Sequence, residues 1–230
     1  MDGHDKLPLW LQWVGANAFA EAVGLGLTLA VDFVIISRTA AAQNAVITLA
    51  VVALVAASGA IEGAIVGFLQ WAVLRRVFPS VSRRVWVSAT VAGAVAAWFF
   101  GSLPSTLIDM SAQGSGAVVQ EPETATVLMF AAVLGAFLGL VLGYPQWRVL
   151  RRAVDGAWLW IPANCIAWAL GMPVVFAATD IAQRSASLEG ALAILGISLL
   201  VTGAIVGAVH GFALVWLAAQ EQVRAGATAL

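Results

Sequence analysis

The chain of 230 residues is 62% hydrophobic and only 10% charged, with a formal net charge of −1. A water-soluble domain needs far more polar cover than that, and the near-zero charge without a basic tail argues against a nucleic-acid partner. The single cysteine, Cys165, forbids an internal disulfide and, inside a hydrophobic stretch, reads as a small buried residue.

In chain order, the first apolar segment lies near residues 9 to 36, interrupted by Glu21 and, close to its far end, by Asp32. An alternative reading makes it a signal peptide with Ala18, Phe19 and Ala20 before a cleavage point, but its leader is acidic as well as basic, which favours a retained span. Charge-free runs follow at Thr39–Ile61, Val85–Ile108, Thr124–Trp147, Gly156–Thr179 and Gly190–Gln220. Each reaches the roughly 20 residues needed to cross about 30 Å of hydrocarbon. The expected fold class is therefore all-α: a polytopic membrane protein with six transmembrane helices in one domain.

Positive charge sets the orientation, because Lys and Arg are retained on the cytoplasmic side. Lys6, Arg75, Arg76, Arg83, Arg84, Arg148, Arg151, Arg152 and Arg224 fall on one side of a six-span arrangement, against Arg38 and Arg184 on the other. Both termini are expected in the cytoplasm, and the location is the plasma (inner) membrane. The longest loop, about Ser105 to Glu123, is expected on the outer face and is rich in Gly, Ser and Gln. Trp10, Trp13, Trp71, Trp86, Trp147, Trp158, Trp160 and Trp216 fall near the cytoplasmic helix ends and are expected as a headgroup belt.

An internal repeat runs through this frame. The second helix ends Gly63-Ala-Ile-Val-Gly67-Phe-Leu-Gln70-Trp71-Ala-Val-Leu74-Arg75-Arg76, and the fourth ends Gly139-Leu-Val-Leu-Gly143-Tyr-Pro-Gln146-Trp147-Arg-Val-Leu150-Arg151-Arg152. The sixth keeps Gly203-Ala-Ile-Val-Gly207 and then departs, with His210 and Gly211 in place of Gln-Trp. The odd helices place a small polar residue four positions after a tryptophan: Trp13 with Asn17, Trp86 with Thr90, Trp160 with Asn164. The chain thus reads as three tandem two-helix repeats, at about residues 9–77, 84–153 and 157–220. Inserted in the same direction, they imply a pseudo-threefold bundle about the membrane normal.

The tandem GxxxGxxQWxVLRR pattern resembles bacterial multipass membrane proteins that carry similar QWxVLR repeats and have no assigned activity. The resemblance covers the second to fifth helices best and the sixth poorly. It implies the topology and transfers no site.

The glycine pairs Gly63/Gly67, Gly139/Gly143 and Gly203/Gly207 are each one turn apart, the usual device for close helix packing in a membrane; a glycine-lined permeation path is the alternative. Trp71, Arg75, Arg76, Trp147, Arg151 and Arg152 are expected as cytoplasmic interface anchors, with anionic lipid at the arginine clusters as a further expectation beyond the bilayer itself. Asn17, Thr90 and Asn164 should share a depth with Gln70, Gln146 and His210, forming a polar ring about the axis. Glu21 and Glu62 demand more explanation, because an intramembrane carboxylate is costly unless protonated, paired or wet. By helical rise Glu21 lies roughly 12 Å inward from Trp13, and Glu62 roughly 20 Å inward from Arg75. Neither acid recurs in the other repeats, where Ala94 and Trp168, or Leu138 and Thr202, hold the matching places. A substrate, ion or proton site and a neutral hydrogen-bonded acid are the two readings.

No catalytic residue, cofactor or metal site is expected: the chain lacks a P-loop, a dinucleotide fingerprint, Gly-x-Ser-x-Gly and His-Glu-x-x-His, and His4 and His210 are its only histidines. The leading expectation is a non-enzymatic membrane module, an accessory subunit or scaffold with a membrane-protein partner. A small-solute or ion transport component is the alternative, and a pigment or tetrapyrrole binder through His210 the second.

Overall fold

Hydrocarbon offers no water to satisfy backbone amides, so a chain of this composition must make its hydrogen bonds within helices. The computed structural model, which describes residues 3–39, 44–115 and 122–227, is helical throughout and contains no strand among them. Its helices are α1 (Gly3–Thr39), α2 (Ala45–Leu74), α3 (Arg83–Ser115), α4 (Thr124–Leu150), α5 (Trp160–Gln183) and α6 (Leu188–Ala227). All six contain a stretch long and apolar enough to cross a membrane, so the chain reads as a multipass membrane protein.

Local chemistry sets several boundaries. Asn44 caps α2, its side chain accepting from the Ile47 amide at 3.0 Å. Between α4 and α5 the chain turns at Gly156, whose φ of 76° only glycine adopts cheaply, and a short 3-10 turn leads into α5. The outer loop expected from Ser105 is shorter than its composition suggested, since α3 continues through Pro104 to Ser115. Hydroxyls support the stretch around the proline: Ser102 donates to the Phe99 carbonyl at 3.0 Å and Thr106 to the Ser102 carbonyl at 2.8 Å.

Each helix packs on its neighbours in sequence, and α6 packs on α1, closing a six-membered ring. Three of the six contacts rest on the glycine pairs. A Cβ added at Gly63 would lie 2.7 Å from Val91 Cα, one at Gly143 2.9 Å from Asn164 Cβ, and one at Gly207 2.9 Å from Val14 Cα. Gly139 would clash with the Asn164 carbonyl, and Gly203 would meet Asn17 O at 2.6 Å. The glycines of α2, α4 and α6 therefore seat α3, α5 and α1. They join one hairpin to the next and the last to the first, where backbones can approach only without side chains between them.

The distribution of polarity is inverted relative to a soluble protein. Phe33, Val46, Leu188 and Phe212 are among the most exposed side chains, whereas Asn17, Thr28, Thr90, Asn164 and Thr202 are buried. At the arginine-rich end, Trp13, Trp86 and Trp160 are wholly buried together with Leu74, Leu150, Leu214 and Leu217. Trp160 meets the other two edge-on, with centroids 5.8 Å and 6.0 Å apart. These three tryptophans thus depart from the expected headgroup belt. They face the ring axis, where three indoles fill a space that aliphatic chains would leave underpacked. Trp158 and Trp216 are exposed, as a belt requires.

Candidate functional site

Moving along the axis from the tryptophan layer, the next side chains are those spaced four residues after each tryptophan. Asn17 donates to the Trp13 carbonyl at 2.8 Å, Thr90 to the Trp86 carbonyl at 3.1 Å and Asn164 to the Trp160 carbonyl at 2.8 Å. Each polar side chain is held by its own preceding turn and so has a fixed rotamer.

The two glutamines link these helices. Gln70 Nε2 donates to Asn17 Oδ1 at 2.9 Å, and Gln146 Nε2 donates both to Gln70 Oε1 at 3.1 Å and to Thr90 Oγ1 at 3.0 Å. Trp160 Nε1 in turn donates to Gln146 Oε1 at 2.9 Å. One network therefore ties α1, α2, α3, α4 and α5. It does not close into the expected six-member ring: Asn164 bonds only its own helix, and both nitrogens of the buried His210 lack a hydrogen-bond partner. His210 is instead stacked on Trp160, with centroids 5.3 Å apart.

Beyond this network lies a small chamber of about 20 Å³, bordered by Glu21, Glu62, Gln70, Gln146, Asn164 and His210 among others. Its volume suits one water molecule. Glu21 Oε2 also lacks a partner, so the chamber collects unpaired polar atoms in the middle of an apolar molecule.

Glu62 borders a second and larger space. A cavity of about 320 Å³ extends toward the end opposite the arginines, walled by Leu25 and Leu29 of α1, Ala94, Ala97, Trp98 and Gly101 of α3, Leu134, Leu138 and Leu142 of α4, and Trp168, Met172 and Phe176 of α5. Apart from Glu62, Ser102 and Ser105, its lining is apolar or aromatic. Trp98 Nε1 donates to Glu62 Oε2 at 2.7 Å, which fixes the carboxyl at the cavity floor. Gly59, one turn from Gly63, makes this possible, because a methyl there would overlap the Trp98 ring.

A third buried acid was not singled out by sequence reasoning. Asp32 is 4% exposed and accepts from Ser58 Oγ at 2.6 Å, while its Oδ2 has no partner. The signal was present in the spacing. Asn17, Glu21, Thr28 and Asp32 follow one another at steps of four, seven and four, a single stripe of α1. Ser58, Glu62 and Gln70 form the facing stripe of α2. The two make a polar seam between α1 and α2 that spans about 22 Å by helical rise.

The anchors at the arginine-rich end lie apart from this site. The Arg75 and Arg83 guanidiniums sit 5.0 Å and 5.8 Å from the Trp71 ring, and Arg151 sits 5.0 Å from the Trp147 ring. Arg76 reaches Gln12 of α1 at 2.6 Å. The glycine pairs serve the helix contacts and do not line the large cavity; of the six, only Gly63 borders the small chamber. No family model, curated protein or solved structure matches the chain.

Proposed function

We propose that the protein is a solute-binding component of membrane transport, taking a small, largely apolar molecule from the side opposite the arginines. The observation that carries this reading is the 320 Å³ cavity with one carboxyl, Glu62, at the floor of apolar and aromatic walls. That volume falls at the lower end of the roughly 300–1,000 Å³ of small-molecule pockets, which are apolar with a few placed polar groups. An accessory or scaffold role needs no such cavity and no acid within it. Tetrapyrrole ligation by His210 is disfavoured by space, because the chamber beside the imidazole measures only about 20 Å³.

The bundle in this reading is three tandem hairpins about a pseudo-threefold axis, with arginines and termini in the cytoplasm of a plasma membrane. The Trp13, Trp86 and Trp160 layer would then close the cytoplasmic end, and the arginine clusters would meet anionic headgroups. Single cysteines at Ser80 and Ser185 in a Cys165→Ser background test the orientation. The first is expected to be labelled only from the cytoplasm and the second only from outside.

Native mass spectrometry of protein purified in mild detergent tests the solute reading. A retained small molecule is expected in the wild type and not in Ala97→Phe, which fills the cavity from α3. A stoichiometric protein partner in both, with no retained molecule in either, would favour the scaffold.

A further inference from the structure

The chemistry around Glu62 bears on what the cavity accepts; the argument rests on the solute-binding reading above. Glu21, Asp32 and Glu62 are 2%, 4% and 5% exposed. None has a basic side chain within ion-pair distance, and the ion pair found among the described residues, Arg184 with Asp180, is exposed and remote from the seam. Glu21 of α1 and His210 of α6 border the chamber beside Glu62, and Asp32 of α1 accepts from Ser58 one turn away on α2, while α3, α4 and α5 present Trp98, Gln146 and Trp168 and no titratable side chain. No basic side chain lines the site to balance a negative charge, which argues against an anionic ligand. Glu62 Oε2 is taken by the Trp98 indole, but Oε1 accepts no hydrogen bond from the described residues. A wholly neutral, apolar ligand would bury that oxygen without a partner.

We propose that the ligand is a small lipophilic cation of the arylalkylammonium class, which places its ammonium on Glu62 Oε1 in exchange for the carboxyl proton. Trp98, Trp168 and Phe176 supply faces for the aryl group and for the positive charge. With the cavity empty, an ionised carboxyl in hydrocarbon has nothing to balance it, so the acid holds its proton. On binding, the O–H bond of the carboxyl breaks, its proton leaves to water, and an ammonium N–H donates to the carboxylate formed. One positive charge enters as one leaves, and no electron is transferred. The one-water chamber behind Glu62 offers the departing proton a first acceptor, beside Glu21 Oε2 and the two unpartnered His210 nitrogens.

The test is calorimetry on the full chain in detergent, with phenethylammonium chloride as probe and 2-phenylethanol as its neutral counterpart. Titrations in phosphate and in Tris, which differ in ionisation enthalpy, give the protons released per ligand. The ammonium is expected to bind at least about tenfold more tightly than the alcohol and to release about one proton. Glu62→Gln should abolish both the preference and the release. Should Glu62→Gln fail to fold, Ala97→Phe serves instead: it keeps the carboxyl, fills the space, and should abolish binding of both probes. Equal binding of the two probes, or ammonium binding without proton release, would overturn the cation inference and leave the solute cavity standing. Binding of neither probe to the wild type would overturn both.

Discussion

The two halves of the bundle use the same six helices to opposite ends. In the arginine-rich half, glycine pairs bring helix backbones together and three indoles with four leucines fill the axis. In the other half the axis is lined by Leu25, Leu29, Ala97, Gly101 and Leu138, with no indole layer across it, and a 320 Å³ space remains. The difference teaches where this chain spends its packing. One half fixes the helices relative to each other, and the rigidity gained there lets the other half hold an opening with a carboxyl at its floor.

The comparison breaks most readily at the indole layer. Trp160→Ala removes the ring that meets Trp13, Trp86 and His210, and is expected to cost about 3–5 kcal/mol, read by reversible SDS unfolding in mixed micelles. A cost below about 1 kcal/mol would mean that the tight half does not hold the bundle together. Next in size, Gly139→Leu must force α4 away from the Asn164 backbone and is expected to cost about 1–3 kcal/mol or more. Gly196→Leu, at a glycine with open space around its Cα, should change stability by less than about 0.5 kcal/mol. Equal losses at the two sites would remove the distinction between a packing glycine and an idle one.

The polar layer between the halves gives a sharper contrast. Gln146→Leu strands Trp160 Nε1 and Gln70 Oε1 and leaves Thr90 Oγ1 only its bond to the Trp86 carbonyl, and should cost about 1–3 kcal/mol. His210→Leu occupies the position that the repeat makes equivalent to a glutamine, yet its ring has no hydrogen bond to lose. Thermal unfolding should show a fall for the first and a change within about 0.5 kcal/mol for the second; a larger loss at His210 would imply a bound partner in the chamber. A modest effect is expected at Trp98→Phe, which keeps an aromatic ring but removes the donor to Glu62, at about 0.5–1.5 kcal/mol. The same variant should weaken retention of the cavity's ligand, measured by native mass spectrometry, because the carboxyl is no longer held at the floor.

Much of this was legible before any coordinate. Runs of apolar residues dictate helices because hydrocarbon leaves the backbone no other partner, and Gly63/Gly67 and their counterparts mark close contacts because only glycine admits a neighbouring backbone. The Trp-to-polar spacing of four is a local feature, and its bond to the preceding turn is set within one helix. Glu21 and Glu62 stand out because a carboxyl in such a span is costly. Asp32 was harder to see because it lies close to a helix end, where an acid is ordinary, and only the stripe shared with Glu21 distinguishes it.

Sequence by itself determined the elements, the number of long apolar helices and the residues that could not be idle, since these follow from transfer of each side chain and each amide into an apolar medium. Tertiary structure decided what those residues meet. Spacing cannot say that the glycines of α2 seat α3 and not α1, that Trp13, Trp86 and Trp160 converge inside the bundle and are wholly buried, or that Gln146 bonds three partners while His210 bonds none. Nor can it say that Glu62, one hydrogen bond from Trp98, lies between a chamber for one water and a cavity for a solute. A void and a hydrogen-bond partner belong to the space between helices, and that space exists only once the ring has closed.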